Sequence, residues 1–118
     1  MKILGIDPAM RCTGYSVIDV KSVDDVNIID CGVIRNGAKM PHSECLRRLA
    51  GGIRELIIAF DPDVCSIEDV FYGKNIKTSM ILSLARGAII SVLAENNIPV
   101  YPFSPRSAKK VAVGRGSA

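Results

Sequence analysis

The apolar residues of this chain change their period once, and that change dictates most of the architecture. Up to Ile34 they alternate as strand residues do. From Ser43 to Phe60 they fall at Leu46, Leu49, Ile53, Leu56, Ile57 and Phe60, a helical stripe. The first part reads as three strands with short connections: Lys2 to Asp7, Thr13 to Val20 and Asn27 to Ile34. Turns fall at Pro8–Cys12 and at Asp24-Asp25, and Asn36-Gly37 closes the last strand, which makes an antiparallel meander. The second part alternates helix and strand. A helix over Ser43–Phe60, with Ser43 as its expected N-cap, ends at Asp61-Pro62. Strands follow at Val64–Glu68 and Pro99–Phe103, separated by a more apolar helix over Thr78–Asn96, and Pro105 opens a third helical segment through Val113.

Alternation of that kind requires parallel crossovers. The fold class is therefore α/β: a five-stranded mixed sheet, a three-strand antiparallel meander plus two parallel strands, flanked by helices in one domain over 1–118. The fourth strand most simply returns beside the first. Gly51-Gly52 weakens the first helix by about 1 kcal/mol per glycine relative to alanine, so another element is expected to pack closely there. The second helix carries Met80, Leu84 and Ala88 among many apolar residues, too many for one face. Such a helix lies deep in a core or supports a subunit interface.

Two strands end on acids. Asp7 closes Ile3-Leu4-Gly5-Ile6-Asp7 and Glu68 closes Val64-Cys65-Ser66-Ile67-Glu68. An unpaired charge is costly to bury, so a buried strand that finishes on an acid needs a use for it. Either acid alone reads as a turn or loop residue. Together, on adjacent parallel strands, they would share the C-terminal edge of the sheet, where α/β proteins place ligands. Oxygen ligands of this kind suit Mg²⁺.

With 48% hydrophobic residues and a mean hydropathy of +0.27, the 118 residues can build one real core. No apolar run is expected to span a membrane, and no signal-peptide pattern opens the chain, so a cytoplasmic protein with no membrane partner is expected. The four cysteines form no C-x-x-C pair and His42 lies at no ligand spacing from them, which argues against zinc. Reduced, mostly structural thiols are expected, and His42 reads as a solvated loop residue. Charge is uneven. Residues 1–104 carry 11 basic and 12 acidic side chains, whereas the last fourteen carry Arg106, Lys109, Lys110 and Arg115 and no acid. A basic end on a near-neutral body fits a polyanion such as nucleic acid, and equally a solvated tail. The loop Phe71-Tyr72-Gly73-Lys74-Asn75-Ile76-Lys77, directly after the strand that ends on Glu68, interleaves aromatics with lysines as a nucleic-acid contact would.

Taken in order, these pieces resemble the RuvC-type Holliday junction resolvases, which have an RNase H-like fold. The matching residues are Leu4-Gly5-Ile6-Asp7-Pro8 with Thr13-Gly14-Tyr15, then Pro62-Asp63 leading to Ile67-Glu68-Asp69-Val70-Phe71, then Lys74-Asn75. Leu84-Ala85-Arg86-Gly87-Ala88, Pro99-Val100-Tyr101 and Lys110 to Ala118 complete the set. Two departures stand out. Ala9 replaces a usual glycine, and Asp69 replaces a frequent glutamine and adds a third carboxylate. The resemblance also implies two further acids on a C-terminal helix with no counterpart before Ala118, so a truncated resolvase domain is expected.

The resemblance implies metal-dependent hydrolysis of phosphodiesters in a four-way DNA junction, in recombination and repair. It assigns catalysis and metal binding to Asp7 and Glu68, with Mg²⁺ (or Mn²⁺) as cofactor and two ions in a complete site. Asp7 would bridge both. It implies DNA contacts by Phe71, Tyr72, Lys74, Asn75, Lys77, Arg86, Lys109, Lys110 and Arg115, with Phe71 as a base-stacking wedge. It implies a homodimer through Met80, Leu84 and Ala88, and cooperation with a branch-migration helicase complex of RuvA and RuvB. Two other readings stand beside it: a non-catalytic junction-binding fragment, and an actin- or sugar-kinase-like phosphotransferase using Asp7 and the Thr13-Gly14 hairpin.

Overall fold

The computed structural model describes residues 1–70 and 75–103. The expected helical segment from Pro105 to Val113 lies outside the described residues, as do Phe71, Tyr72, Lys74, Lys109, Lys110 and Arg115. The elements run β1 (Lys2–Asp7), β2 (Cys12–Ser22), β3 (Asp25–Arg35), α1 (His42–Phe60), β4 (Val64–Glu68), α2 (Ile76–Glu95) and β5 (Val100–Phe103). They form one sheet of order β3-β2-β1-β4-β5. β1 pairs antiparallel with β2 and parallel with β4, and β5 extends the sheet in parallel beyond β4. The mixed five-stranded sheet, with its fourth strand beside its first, is as the sequence implies.

Register decides which residues are core. Leu4 lies opposite Val17 on one side and Cys65 on the other, and Ile6 opposite Ile67. All five side chains are buried and join Ile53 and Leu56 of α1 and Ile89, Val92 and Leu93 of α2 in a single cluster. Both described helices therefore cover the same face. Period-two alternation puts Gly5, Asp7, Ser16, Ser66 and Glu68 on the other face. The β1–β4 register is pinned at its far end by a reciprocal pair. The Lys2 amide donates to the Asp63 carboxylate (2.8 Å), and the Asp63 amide donates to the Lys2 carbonyl (2.9 Å).

The helices depart from expectation at their starts, while α1 ends at Phe60 as expected. α1 begins at His42, not in a loop, and its N-cap is Pro41 with no side-chain hydrogen bond, so Ser43 lies inside the first turn. Its buried stripe is Cys45, Leu49, Ile53 and Leu56, so Cys45 takes the place expected of Leu46. The helix stops as Asp61 turns left-handed (φ 46°) and its amide donates to the Ile57 carbonyl (2.8 Å), just before Pro62. In α2, Asn75 is the N-cap, its side chain accepting from the Thr78 amide (3.1 Å). Its end is a Schellman turn: Asn97 has φ 56°, its amide donates to Ala94, and the Ile98 amide donates to Leu93 (3.0 Å).

The glycine pair in α1 divides. A Cβ on Gly52 would lie 2.7 Å from Ile34 Cδ1, so β3 is the close-packed element, whereas a Cβ on Gly51 meets nothing within 4 Å. Ala9 is not among the described residues with positive φ, and no strain arises from it. Contrary to the sequence expectation, α2 is long and apolar enough, by length and composition, to cross a membrane. Its apolar residues are divided instead between the sheet-facing set, with Ala85, Ile89, Val92 and Leu93 buried, and an outer set in which Ile76, Met80 and Leu84 are exposed. All four cysteines are free. Cys45 and Cys65 are buried but Cys12 and Cys31 are exposed, so only half are structural.

Candidate active site

The last register pair between β1 and β4 is Ile6 with Ile67, so the next residues, Asp7 and Glu68, leave the sheet side by side. Both line a cleft of about 100 Å³ together with Pro8, Asp69 and Leu82. Asp7 is exposed and Glu68 half-buried. The Glu68 carboxyl is pushed up to about 7, first by a hydrogen bond with the Asp7 carboxyl, then by burial and by the Asp7 charge. Two carboxylates this close share a proton when no cation balances them. Two acids in one cleft fit a divalent cation, which would balance their charge.

The turn that carries the chain away from Asp7 is held from inside. Thr13 is fully buried, and its hydroxyl donates to the Ala9 carbonyl (2.6 Å) while accepting from the Ala9 amide (3.1 Å). Buried Asn36 donates through Nδ2 to the carbonyls of Met10 (2.9 Å) and Cys45 (3.2 Å), which ties the same turn to α1. Arg11 Nη1 adds bonds to the carbonyls of Gly37 (2.8 Å) and Met40 (2.7 Å). Among the described residues no buried side-chain N or O atom lacks a partner, and these bonds hold the turn that follows Asp7 in one conformation.

Asp69 lines the acidic cleft, but its carboxylate serves its own neighbourhood. It accepts from the Val70 amide (2.9 Å) and pairs with Arg86 (3.5 Å). Arg86 also donates through Nε to the Glu68 carbonyl (3.3 Å) and is only 21% exposed. The structure thus gives Arg86 a tethering role at the end of β4. Among the described residues, no third His, Cys, Asp or Glu joins Asp7 and Glu68 in a metal-holding group. Cys65, behind the acids, has its thiol pushed up to about 12 by burial and offers no nucleophile.

On the face opposite the two described helices Asp7 also borders a second cleft, of about 290 Å³, lined by Gly5, Gly14, Ser16 and Phe103 among others. The small residues matter. A Cβ on Gly5 would lie 2.8 Å from Ser16 Oγ, and one on Gly14 3.9 Å from Asp7 Cβ. They keep the sheet surface low beside the acid, so an extended chain can approach it. Sequence reasoning missed this floor; the signal was present as Gly5, two positions before Asp7 on β1, and Gly14, the register partner of Asp7 on β2. Of the other expected site residues, Asn75 and Lys77 open α2, Lys77 is exposed, and Met80, Leu84 and Ala88 lie along that helix.

A mixed sheet of this order, with an acid pair at the ends of its adjacent parallel strands, defines an RNase H-like α/β domain with a carboxylate site. Comparison with known proteins narrows that class. The family model described as "Crossover junction endodeoxyribonuclease RuvC" matches residues 3–118. Relatives described in the same words include one from Chloroflexus aurantiacus, 35% identical over 118 residues, matching 100% of this chain and 71% of that protein. Another, from Caldicellulosiruptor saccharolyticus, is 36% identical, again with 100% and 71% matched. Among solved structures, "T. thermophilus RuvC in complex with Holliday junction substrate" aligns with a TM-score of 0.87 at 24% identity, covering 93% of this chain and 67% of that one. The yeast mitochondrial Holliday junction resolvase Ydc2 aligns with a TM-score of 0.66 at 16% identity, covering 92% and 54%. The chain belongs to the RuvC family.

Proposed function

We propose that this chain is the resolvase domain of a structure-specific endonuclease that hydrolyses phosphodiesters in four-way DNA junctions in the cytoplasm. The observation that carries the reading is the adjacency of Asp7 and Glu68 in one cleft at the ends of neighbouring parallel strands. Family membership supports the nuclease over the phosphotransferase reading. Asp7 and Glu68 would hold Mg²⁺, or Mn²⁺ in its place, as part of a complete site for two ions. Bound there, the metal supplies Lewis-acid stabilisation of phosphate charge and a water of lowered pKa.

The chain's own groups do the rest. Asp7, directly before the turn that Thr13 and Asn36 hold through Ala9 and Met10, would present the cation beside the low floor of Gly5 and Gly14, where the scissile phosphate lies. Glu68, kept in line by Arg86, holds the second side of the cleft. Two carboxylates leave most of the coordination sphere to water, which keeps metal affinity weak. Phe71, Tyr72 and Lys74, directly after β4, are proposed to stack and steer the unpaired bases, with Asn75 and Lys77 at the start of α2 and with Lys109, Lys110 and Arg115 on backbone phosphates. The outer stripe of α2 through Met80, Leu84 and Ala88 is proposed as a two-fold contact, because cutting both strands requires two sites. RuvA and RuvB are the proposed partners for branch migration.

The test is cleavage of an end-labelled four-way junction with Mg²⁺ or Mn²⁺. The expected result is cleavage by the parent and none by Asp7→Asn, with junction binding retained. Unchanged cleavage by that variant overturns the metal assignment. The lack of a third ligand among the described residues favours one second reading, a junction binder without chemistry. Tight, structure-selective binding by the parent with no product would support it.

A further inference from the structure

The acid cleft contains a third carboxylate that the other two do not use. Asp69 lines it with Asp7, Glu68 and Leu82, yet among the described residues it joins no metal-holding group. Its partner is a cation instead. Asp69 Oδ1 lies 3.5 Å from Arg86 Nη2 and also accepts from the Val70 amide (2.9 Å). Arg86 stands one helical turn after Leu82, on the same side of α2. Its Nε donates to the Glu68 carbonyl (3.3 Å). One guanidinium is thereby anchored beside the cleft, through a bond to the residue whose own carboxyl is offered to the metal.

The Asp69–Arg86 pair is loose. Its 3.5 Å separation exceeds the about 2.7–2.9 Å of a charge-assisted bond, and both bonds to Asp69 fall on the same oxygen, Oδ1. The two partners also differ in freedom. Asp69 is 53% exposed and can swing out, whereas Arg86 is only 21% exposed and is held by Glu68. A carboxylate and a phosphate offer the same pair of oxygens to a guanidinium fork. Resting on the nuclease reading above, we propose that Arg86 is a backbone-phosphate contact of the acid cleft and that Asp69 is its displaceable stand-in. A junction strand entering the cleft takes the Arg86 Nη groups from Asp69, while Nε stays on the Glu68 carbonyl. Asp69 thereby sets a threshold. A lone anion competes poorly with a carboxylate tethered beside the guanidinium, whereas a strand held at several phosphates delivers one at high effective concentration.

The experiment measures binding of a labelled, uncleaved four-way junction to the full chain, in EDTA, across a salt series. Arg86→Gln should flatten the slope of log K against log salt by about 1. Asp69→Asn keeps the oxygen that accepts from Val70 but loses the charge. It should tighten binding by about 2- to 5-fold at fixed salt, the contribution of one exposed ion pair. Glu95→Gln is the matched control, because it removes a carboxylate that pairs with Arg54 at the far end of α2. In the Arg86→Gln background, Asp69→Asn should add no more than Glu95→Gln does. A parent that binds with normal salt dependence while Asp69→Asn matches it overturns the stand-in alone. Equal tightening with and without Arg86 also overturns it, because the effect is then plain charge repulsion. A slope untouched by Arg86→Gln removes the phosphate contact. An Asp69→Asn effect that appears only when Mg²⁺ is added makes Asp69 a metal ligand and likewise overturns the inference. If Arg86→Gln does not melt cooperatively, Asp69→Asn against Glu95→Gln decides, and equal effects reject the proposal. A parent that binds no junction overturns the nuclease reading and this inference together.

Discussion

Replacing Asp7 by Asn should stabilise the domain, and only above the acid range. In the folded chain the Glu68 carboxyl titrates at about 7 instead of 4.5, chiefly because Asp7 is bonded to it and charged. Below pH 4.5 folded and unfolded chains both hold the proton and no difference exists. As pH rises from 4.5 to 7 the unfolded chain releases its proton first, so stability falls, and above pH 7 the full penalty is present. A rise of that size corresponds to about 3 kcal/mol. Solvent at the open cleft screens it to about 1–2 kcal/mol. Asp7→Asn removes the charge and gives Glu68 an amide N–H that donates to its ionised form, where Asp7 could only accept. The variant should therefore match the parent in urea denaturation near pH 4 and exceed it by about 1–2 kcal/mol near pH 8, both in EDTA. Magnesium should reverse the order: at about 100 times its dissociation constant it stabilises the parent by about 2.7 kcal/mol and leaves the variant unmoved. A parent–variant difference that is the same at both pH values refutes the coupling. A variant that responds to Mg²⁺ as the parent does refutes the metal assignment.

The adjacent glycines of α1 should respond with opposite signs. Gly52→Ala drives a Cβ to 2.7 Å from Ile34 and should cost about 1–3 kcal/mol, while Gly51→Ala, in open space, should gain up to about 1 kcal/mol; equal effects in urea melts would remove β3 as the reason for the pair. Met80→Asp with Leu84→Asp changes residues 64% and 51% exposed, so the fold should survive with an unchanged melting temperature. If the outer stripe of α2 is a two-fold contact, the parent dimer seen by sedimentation becomes monomeric; a parent that is already monomeric at high concentration rejects the contact.

Much of this was legible in the sequence because period-two and helical patterns are local. The alternation Leu4, Ile6 and Cys65, Ile67 names the core face, and Asp7 and Glu68 follow from it on the other face. What escaped was polar and long-range. Arg86 meets Asp69 across 17 positions, Arg11 reaches Gly37 and Met40, and Asn36 joins Met10 to Cys45. No periodicity announces such bonds. Helix starts were missed for a different reason. Ser43 has the right chemistry for a cap, but Pro41, with φ −58°, already sets the entry geometry two residues earlier. Asp61 and Asn97 adopt the left-handed turns usually given to glycine, helped by short polar side chains that tolerate them.

The Lys2–Asp63 clasp has a consequence for how the domain assembles. It joins residues 61 apart, and the β1–β4 ladder it starts brings Asp7 beside Glu68. Nothing local draws those strands together, and loop closure must precede any reward from their pairing. The meander and the two helices can form from near neighbours. The acid pair exists only after the long crossover has closed in one register, since a one-residue slip would turn Glu68 toward the helices. A chain caught before that step therefore presents no cation site, and the chemistry arrives only with this long-range pairing.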